Sequence, residues 1–346
     1  MGHDDTKPRY SLHREKGKIA LGGVFTEAAS GELIDAYHAT DTSSEPVLDF
    51  SEIEHIDISG INALIKLMLR AGAQGRRLAA TGLSRELRDI FQATRIDEVF
   101  CSEPDSAGQV VSSYDPGKMS AWARPIEGIM LSEIPEGAIN MNVDGRKVVG
   151  PLQGFGRLWE KIFRVRLTGV NASPQEVINA FKEHFPSFQP PQNRFFPTKA
   201  GIAPSEVVLI NAHTPAGFIC SGVWVVYADK EAFTLMTPQG HPESGWVSFS
   251  AFGEHGCTVA RIVAFARASD PLYEIGFNIM GSREHERIWT HVLESLAGHF
   301  GVPGWVRMDK SCVGDRLQWN RVGNIWYNAQ IRTMLSSLKR HSHKGT

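Results

Sequence analysis

Leu48-Asp49-Phe50-Ser51-Glu52-Ile53-Glu54-His55-Ile56-Asp57-Ile58-Ser59-Gly60-Ile61-Asn62-Ala63-Leu64 decides how the N-terminal part of this chain folds, because it runs a strand into a helix and leaves a hydroxyl at the joint. Val47, Leu48 and Phe50 read as a short buried strand, and Ile53, Ile56 and Ile58 bring a second apolar set into the turn. From Ile61 the period changes. Ile61, Leu64, Ile65, Met68 and Leu69 recur at the three-and-four spacing of an amphipathic helix that covers a sheet. Ser59 is then expected at or beside the helix N-cap, where backbone N–H groups have no internal partner. One reading is an ordinary Ser cap, worth roughly 1 kcal/mol. The other is a switch, because a phosphate there would bring nearly two negative charges to the positive end of a helix dipole.

The segment from Lys18 to Phe100 resembles the STAS domain of anti-sigma factor antagonists, whose Asp-x-Ser-Gly turn matches Asp57-Ile58-Ser59-Gly60. Downstream, Gly75 to Ser84 is similar to the family's next strand and loop, Glu86 to Phe91 to its following helix, and Ile96 to Phe100 to its closing strand. Ile58 stands where many members have a second Ser or Thr, and the stretch Ile19 to Gly23 is weakly patterned for a first strand. The resemblance implies an α/β domain, a mixed sheet with helices. It also implies that Ser59 accepts phosphate from an anti-sigma factor-type serine kinase, with Asp49, Asp57 and Gly60 around it, and that phosphorylation breaks the pairing with that partner.

A chain of 346 residues favours more than one domain, since single cores stop growing at roughly 250–300 residues. The expected division is a flexible N-terminus over 1–16, the STAS-like domain over 17–104, a linker with short strands over 105–150, a second domain over 151–301 and a C-terminal extension over 302–346. Within the linker, Glu103 to Gly108 and Asp115 to Lys118 carry turn chemistry, and Asn142 to Arg146 reads as a hairpin turn. Trp122, Ile126, Ile129, Met130 and Leu131 are too apolar for a free tether, so part of the linker is expected to pack on a neighbouring domain.

A formal charge of −2 gives no global field for nucleic acid, and no recognition helix or zinc spacing accompanies it. Cys101, Cys220, Cys257 and Cys312 are far apart and form no CxxC pair, which argues against a metal cluster and a disulfide framework and for reduced, cytoplasmic thiols. No apolar run approaches the roughly 20 residues that span a bilayer.

From Phe155 the chain patterns strongly again. Phe155, Leu158, Trp159 and Ile162 read as one helical face and Val165 to Val170 as a strand. Ser173-Pro174-Gln175-Glu176 is a helix start with the cap, the first-position proline and the capping-box glutamate in place. Strands are expected over Val207–Ala212, Phe218–Tyr227, Ala232–Thr237, Trp246–Phe252 and Thr258–Ala268, and a closing helix over Ser282–Phe300. This order resembles the α+β helix-grip fold of the START-like (SRPBCC) superfamily, a curved antiparallel sheet around a long C-terminal helix. The pieces that carry the resemblance include Gly154 to Trp159, Met236 to Pro242, Gly245 to Phe249 and Arg267 to Pro271. It implies an apolar pocket for a small molecule or lipid.

The strand from Thr258 to Ala268 puts Ala260, Ile262, Ala264 and Ala266 on one face. With that face inward, Trp224, Met236, Trp246, Phe249, Phe252, Phe277 and Trp289 are expected to line a pocket together with Ala264 and Ala266. The alternative is a solid core of alternating large and small partners. His241 in its Gly-Pro turn reads as a loop-stabilising residue, and His285, His291 and Glu294 read as a solvated face of the closing helix without metal-ligand spacing.

From Trp305 onward eight basic residues face two acidic ones. Ile331, Met334, Leu335 and Leu338 mark one side of an amphipathic helix, either docked on the domain or resting on anionic lipid. Two functions follow. One is a non-enzymatic regulator without cofactor or metal, whose STAS-like domain binds a protein partner under control of Ser59 and whose second domain senses an apolar metabolite. The other is a hydrophobic-ligand or lipid carrier in which the STAS-like domain is a docking module.

Overall fold

The computed structural model describes residues 10–15, 17–40, 45–98, 100–102 and 121–342, in two compact units that divide at Ser120/Ala121. The turns expected over Glu103–Gly108 and Asp115–Lys118 and most of the N-terminal 1–16 lie outside the described residues.

The first unit is a five-stranded sheet in the order β1-β2-β3-β4-β5. Its strands are β1 (Tyr10–Glu15), β2 (Lys18–Phe25), β3 (Val47–Ile56), β4 (Ala79–Thr81) and β5 (Cys101–Ser102). Only the β1–β2 hairpin is antiparallel; β2, β3, β4 and β5 run parallel. Three helices make the crossovers between the parallel strands: α1 (Ser30–His38), α2 (Ile58–Ala73) and α3 (Arg85–Ala93). The α2 stripe Ile61, Leu64, Ile65 and Met68 is buried as its spacing predicts. The strand before it is longer than the sequence suggested, because Ile53 and Ile56 continue the strand rather than fill a turn. The closing strand falls at Cys101–Ser102, after the Ile96–Phe100 stretch that the family resemblance implies.

In the second unit, β6 (Val148–Val149) pairs with one strand of a large antiparallel sheet. The sheet comprises β7 (Leu158–Leu167), β8 (Asn193–Pro197), β9 (Val207–Thr214), β10 (Gly217–Ala228), β11 (Ala232–Pro238), β12 (Glu243–Glu254), β13 (Cys257–Ala268) and β14 (Val306–Gly314), ordered β14-β7-β13-β12-β11-β10-β9-β8. The helices are α4 (Pro174–His184), α5 (Pro271–Gly276), α6 (Ser282–His299) and α7 (Ala329–Ser342). This large antiparallel sheet with its long late helix is compatible with the helix-grip order. The Ser173 capping box forms in full at the start of α4.

The helical face expected at Phe155–Ile162 does not exist. Leu158 to Leu167 is one strand, whose Trp159, Lys161, Phe163, Val165 and Leu167 alternate onto one face. That face packs against α4 and α6 in a single core with Phe181, Phe185, Phe233, Phe249, Ile262 and Trp289.

The opposite face is also covered. Residues 121–156 and the C-terminal segment lie over it, so the stretch from 121 that was expected to be a linker belongs to this unit. Trp122 stacks edge-on against Tyr227 at 4.8 Å, Ile129 and Val143 are buried, and Val143 closes on Gly222, where an added Cβ would come within 3.0 Å of it. Met130, in contrast, is exposed. The expected hairpin at Asn142–Arg146 is instead a tight loop whose Gly145 N–H and Arg146 C=O exchange hydrogen bonds with Ile129. From the other terminus, α7 docks on β10 through Thr333 and Gln330.

Candidate functional site

In the first unit, Asp57, not Ser59, caps α2. Asp57 has extended backbone angles, and its carboxylate accepts the Gly60 N–H at 2.8 Å. Ser59 therefore sits at the second helical position, half-buried, with its hydroxyl relieved of capping. Gly60 is required by close approach, since an added Cβ would stand 2.5 Å from the Phe25 carbonyl oxygen and 2.8 Å from Ile56 Cγ1. The Asp-x-Ser-Gly turn is thus a carboxylate cap, a hydroxyl beside it and a glycine where the helix start presses on β2. It lies at the carboxyl end of parallel strands, where open α/β sheets present their binding residues.

Asp49 does not belong to this group. It stands at the opposite end of β3, where Lys18 Nζ lies 2.6 Å from its carboxylate and Ser51 donates to it through its hydroxyl and its backbone N–H. Burial opposes its charge, but Lys18 and Ser51 outweigh it and hold the carboxyl below its ordinary range. Extended backbone separates it from Ser59, so it serves the Gly82 turn beside it and not the hydroxyl.

The expected pocket residues of the second unit divide between two faces. Trp224, Met236 and Trp246 form one cross-strand row, each the register partner of the next, and they are buried on the face covered by 121–156 and the C-terminal segment. Phe252 shares that face, with the Arg261 guanidinium 5.1 Å above its ring. Phe249, Ala264 and Trp289 are on the helix-covered face, but in a filled core: Phe249 stacks on Phe233 at 4.5 Å and meets Trp289 edge-on at 5.5 Å. Both faces of β12 and β13 are buried, which is why alternation alone could not say which large residues look inward.

What opens beside this core is a recess of about 80 Å³. Ala264, Ala266 and Phe277 line it as expected, but so do Arg157, Lys161, Glu243, Arg267, His285 and Lys310. Its lining mixes charged and apolar side chains, and its volume is well below the several hundred Å³ of sites that enclose a small organic ligand. Around Phe249 and Trp289 the expected lining is packed ring against ring, and the recess beside Ala264 and Ala266 is small and carries charged groups.

Glu243 and His285 are the central pair of this recess. Glu243 Oε2 lies 3.1 Å from His285 Nε2, and Trp289 Nε1 donates to the same nitrogen at 2.9 Å. The tryptophan can only donate, so a neutral Nε2 serves Trp289 and a protonated one serves Glu243; a single proton selects the partner. His285 Nδ1 is buried without a hydrogen-bond partner. Burial opposes the Glu243 charge, yet His285 and then Lys161 outweigh it and hold its pKa down at about 2. His241, whose ring nitrogen accepts the Glu243 N–H at 3.1 Å, is pushed by burial down to about 4, against the pull of Glu243. Arg267, 2% exposed, has Nε and Nη1 without hydrogen-bond partners, and burial lowers its pKa to about 10 despite the nearby Glu274. These unsatisfied nitrogens suit ordered water or a small anion. The sequence reading assigned His285 to a solvated face; its true partner is 42 positions away, beyond any local pattern. Among the described residues no cluster of His, Cys, Asp and Glu could hold a metal ion, and Cys220, Cys257 and Cys312 are free thiols.

A family model described as "Mlab, STAS domain" matches residues 9–101, so the first unit is similar to a STAS domain, which its mixed sheet with crossover helices fits. No curated protein matches the chain. Solved structures similar to it include the KanY protein, 15% identical over 40% of this chain and 95% of that one, with a TM-score of 0.33. Another is the di-domain ARO/CYC StfQ from the steffimycin biosynthetic pathway, 13% identical over 42% of this chain and 50% of that one, with a TM-score of 0.32. A third is a protein from Nitrosomonas europaea, 12% identical over 40% of this chain and 92% of that one, with a TM-score of 0.29. Likenesses this distant bear on no residue of the second unit. No helix among the described residues is long and apolar enough to cross a membrane.

Proposed function

We propose that this chain is a non-enzymatic regulator whose STAS domain binds a protein partner according to the charge at Ser59. The observation that carries the reading is the capping of α2 by Asp57, which leaves the Ser59 hydroxyl free of a structural duty at the carboxyl end of the sheet. A phosphate on Ser59 meets two opposed influences, attraction to the helix N-terminus and repulsion from the Asp57 carboxylate one turn edge away. The modification changes the surface without requiring the helix to unwind. The partner expected for this chemistry is a serine kinase of the anti-sigma factor type. Incubation of the full chain with such a kinase and ATP, followed by intact-mass measurement and pull-down, tests it. A phosphate found on Ser59→Ala as readily as on wild type, or partner retention indifferent to the phosphate, would refute it.

The resemblance of the second unit to the helix-grip order supports a second reading, in which the chain is a hydrophobic-ligand or lipid carrier, its STAS-like domain is a docking module and Ser59 stays unmodified. It predicts partner capture that Ser59→Asp weakens by steric and charge intrusion while natively purified protein carries no phosphate.

A further inference from the structure

The C-terminal helix α7 is docked back to front. Its buried positions are Ala329, Gln330 and Thr333, and they are held by hydrogen bonds rather than by apolar packing. Thr333 Oγ1 accepts the Cys220 N–H at 3.3 Å, and Gln330 Nε2 donates to the Phe218 carbonyl at 2.9 Å. At about 100° per residue, Ile331, Met334, Leu335 and Leu338 fall in a stripe about 100° wide on the opposite side. All four are exposed, Leu338 at 67%. An amphipathic helix that folds onto its own domain ordinarily does the reverse.

The segment leading into α7 continues the pattern. Trp326 is 81% exposed and Trp319 69% exposed, and Val322 is exposed beside them. Leu272, Ile275 and Ile279, on α5 and the turn after it, are exposed as well. Tyr273 ties α5 to the first turn of α7, its hydroxyl accepting the Gln330 N–H at 3.0 Å. Charge identifies the occupant. From Trp319 onward the sequence has five basic residues and no acidic one, in a chain whose formal charge is −2. On the neighbouring elements, buried Asp270 accepts from Asn328, and Glu274 faces buried Arg267. Apolar side chains with tryptophans among them and a cationic surround are the chemistry of an anionic bilayer surface, where indole rings settle at headgroup level.

We propose that the second unit binds anionic membrane surfaces through the outward stripe of α7 and the Trp319–Tyr327 segment. The helix lies in the interface and does not cross it.

The full chain is to be sedimented with vesicles of phosphatidylcholine alone and of phosphatidylcholine mixed with phosphatidylglycerol, with tryptophan emission recorded in parallel. Wild type is expected on the mixed vesicles with a blue-shifted emission, to leave them as salt rises, and to stay off the neutral ones. Leu335→Ser with Leu338→Ser is expected to weaken binding by roughly tenfold or more at an unchanged melting temperature, because both positions are exposed. Lys339→Gln with Arg340→Gln is expected to weaken binding and flatten its salt dependence. Wild type that neither sediments with the mixed vesicles nor shifts its emission overturns the proposal. So does binding that the serine pair leaves unchanged. A dimer that the serine pair converts to monomer would assign the face to a second copy of this chain and overturn it equally.

Discussion

Asn142 Nδ2 donates to Thr333 Oγ1 at 3.2 Å, joining residues 191 apart in sequence inside the layer that covers one face of the large sheet. The same amide nitrogen reaches the Cys220 carbonyl at 3.0 Å and the Ala329 carbonyl at 3.3 Å, and its oxygen accepts from Arg332 Nε at 3.2 Å. Asn142 also holds a φ of 65°, a conformation that Asn tolerates better than most residues. It is the point at which the 121–156 segment, β10 and α7 are fastened together.

Asn142→Ala is therefore expected to destabilise the second unit by about 1–3 kcal/mol, since buried carbonyls lose their donor and the backbone angle becomes costly. Urea unfolding of the full chain, followed by tryptophan emission, reads this directly. An unchanged midpoint would mean the covering layer is held elsewhere.

For the first unit, capping assigns the cost to Asp57. Asp57→Ala is expected to lose about 1 kcal/mol, and Ser59→Ala to lose a few tenths at most. Gly60→Ala is expected to exceed both, at about 1–3 kcal/mol or more, because its Cβ would press on the Phe25 backbone. A reversed order of Asp57 and Ser59 in denaturant midpoints would restore Ser59 as the cap.

Acid is expected to unfold the second unit in two stages of the same sign. His241 titrates at about 4 in the fold against an ordinary 6.5, so the unfolded chain binds its proton first and stability falls as pH drops below 6.5. Glu243, at about 2 against 4.5, adds a further loss as pH falls from 4.5 towards 2. Thermal melts across pH 7 to 3 measure both (~4 pH units, spanning the ordinary His and Glu ranges). Glu243→Gln should flatten the lower stage and, by removing the carboxylate that pulls the His241 pKa up, deepen the upper one; a profile identical to wild type would remove Glu243 from the account.

Ala264→Trp distinguishes a closed grip from an open one. With Phe249 and Trp289 already in contact and only about 80 Å³ in the recess that Ala264 lines, the added ring does not fit, and a loss of about 1–3 kcal/mol or more is expected, with no apolar probe taken up by wild type. Wild-type uptake of such a probe, or a variant as stable as wild type, would show that the core opens.

Much of this architecture was legible where local chemistry is unambiguous. Ser173, Pro174 and Glu176 specify the start of α4 within four residues, and Ile61 to Met68 specify the buried side of α2. Legibility failed where both faces of a strand are buried. Trp224 and Phe249 look alike in sequence although they face opposite layers, and at β7 Leu158, Trp159 and Ile162 mimic a helical repeat because the outer face, which also carries Glu160, Arg164 and Arg166, keeps two apolar residues. It failed again for Glu243 and His285, which meet only because β12 and α6 converge in three dimensions. At α7 the apolar stripe was visible, but not its outward direction, because Thr333 and Gln330 win the docking by hydrogen bonds.

The layer over Trp224, Met236 and Trp246 also sets an order of assembly. Its two halves, residues 121–156 and the segment from Trp319 onward, flank the sheet strands in sequence, so the cover is completed only after the strands it covers have been made. Closing a contact such as Asn142 to Thr333 carries the entropy of a very long loop and belongs to the late, slow part of folding. During synthesis, the aromatic row waits uncovered until the segment from Trp319 arrives, and a chain stopped before that segment would present it as a sticky surface for chaperones or aggregation.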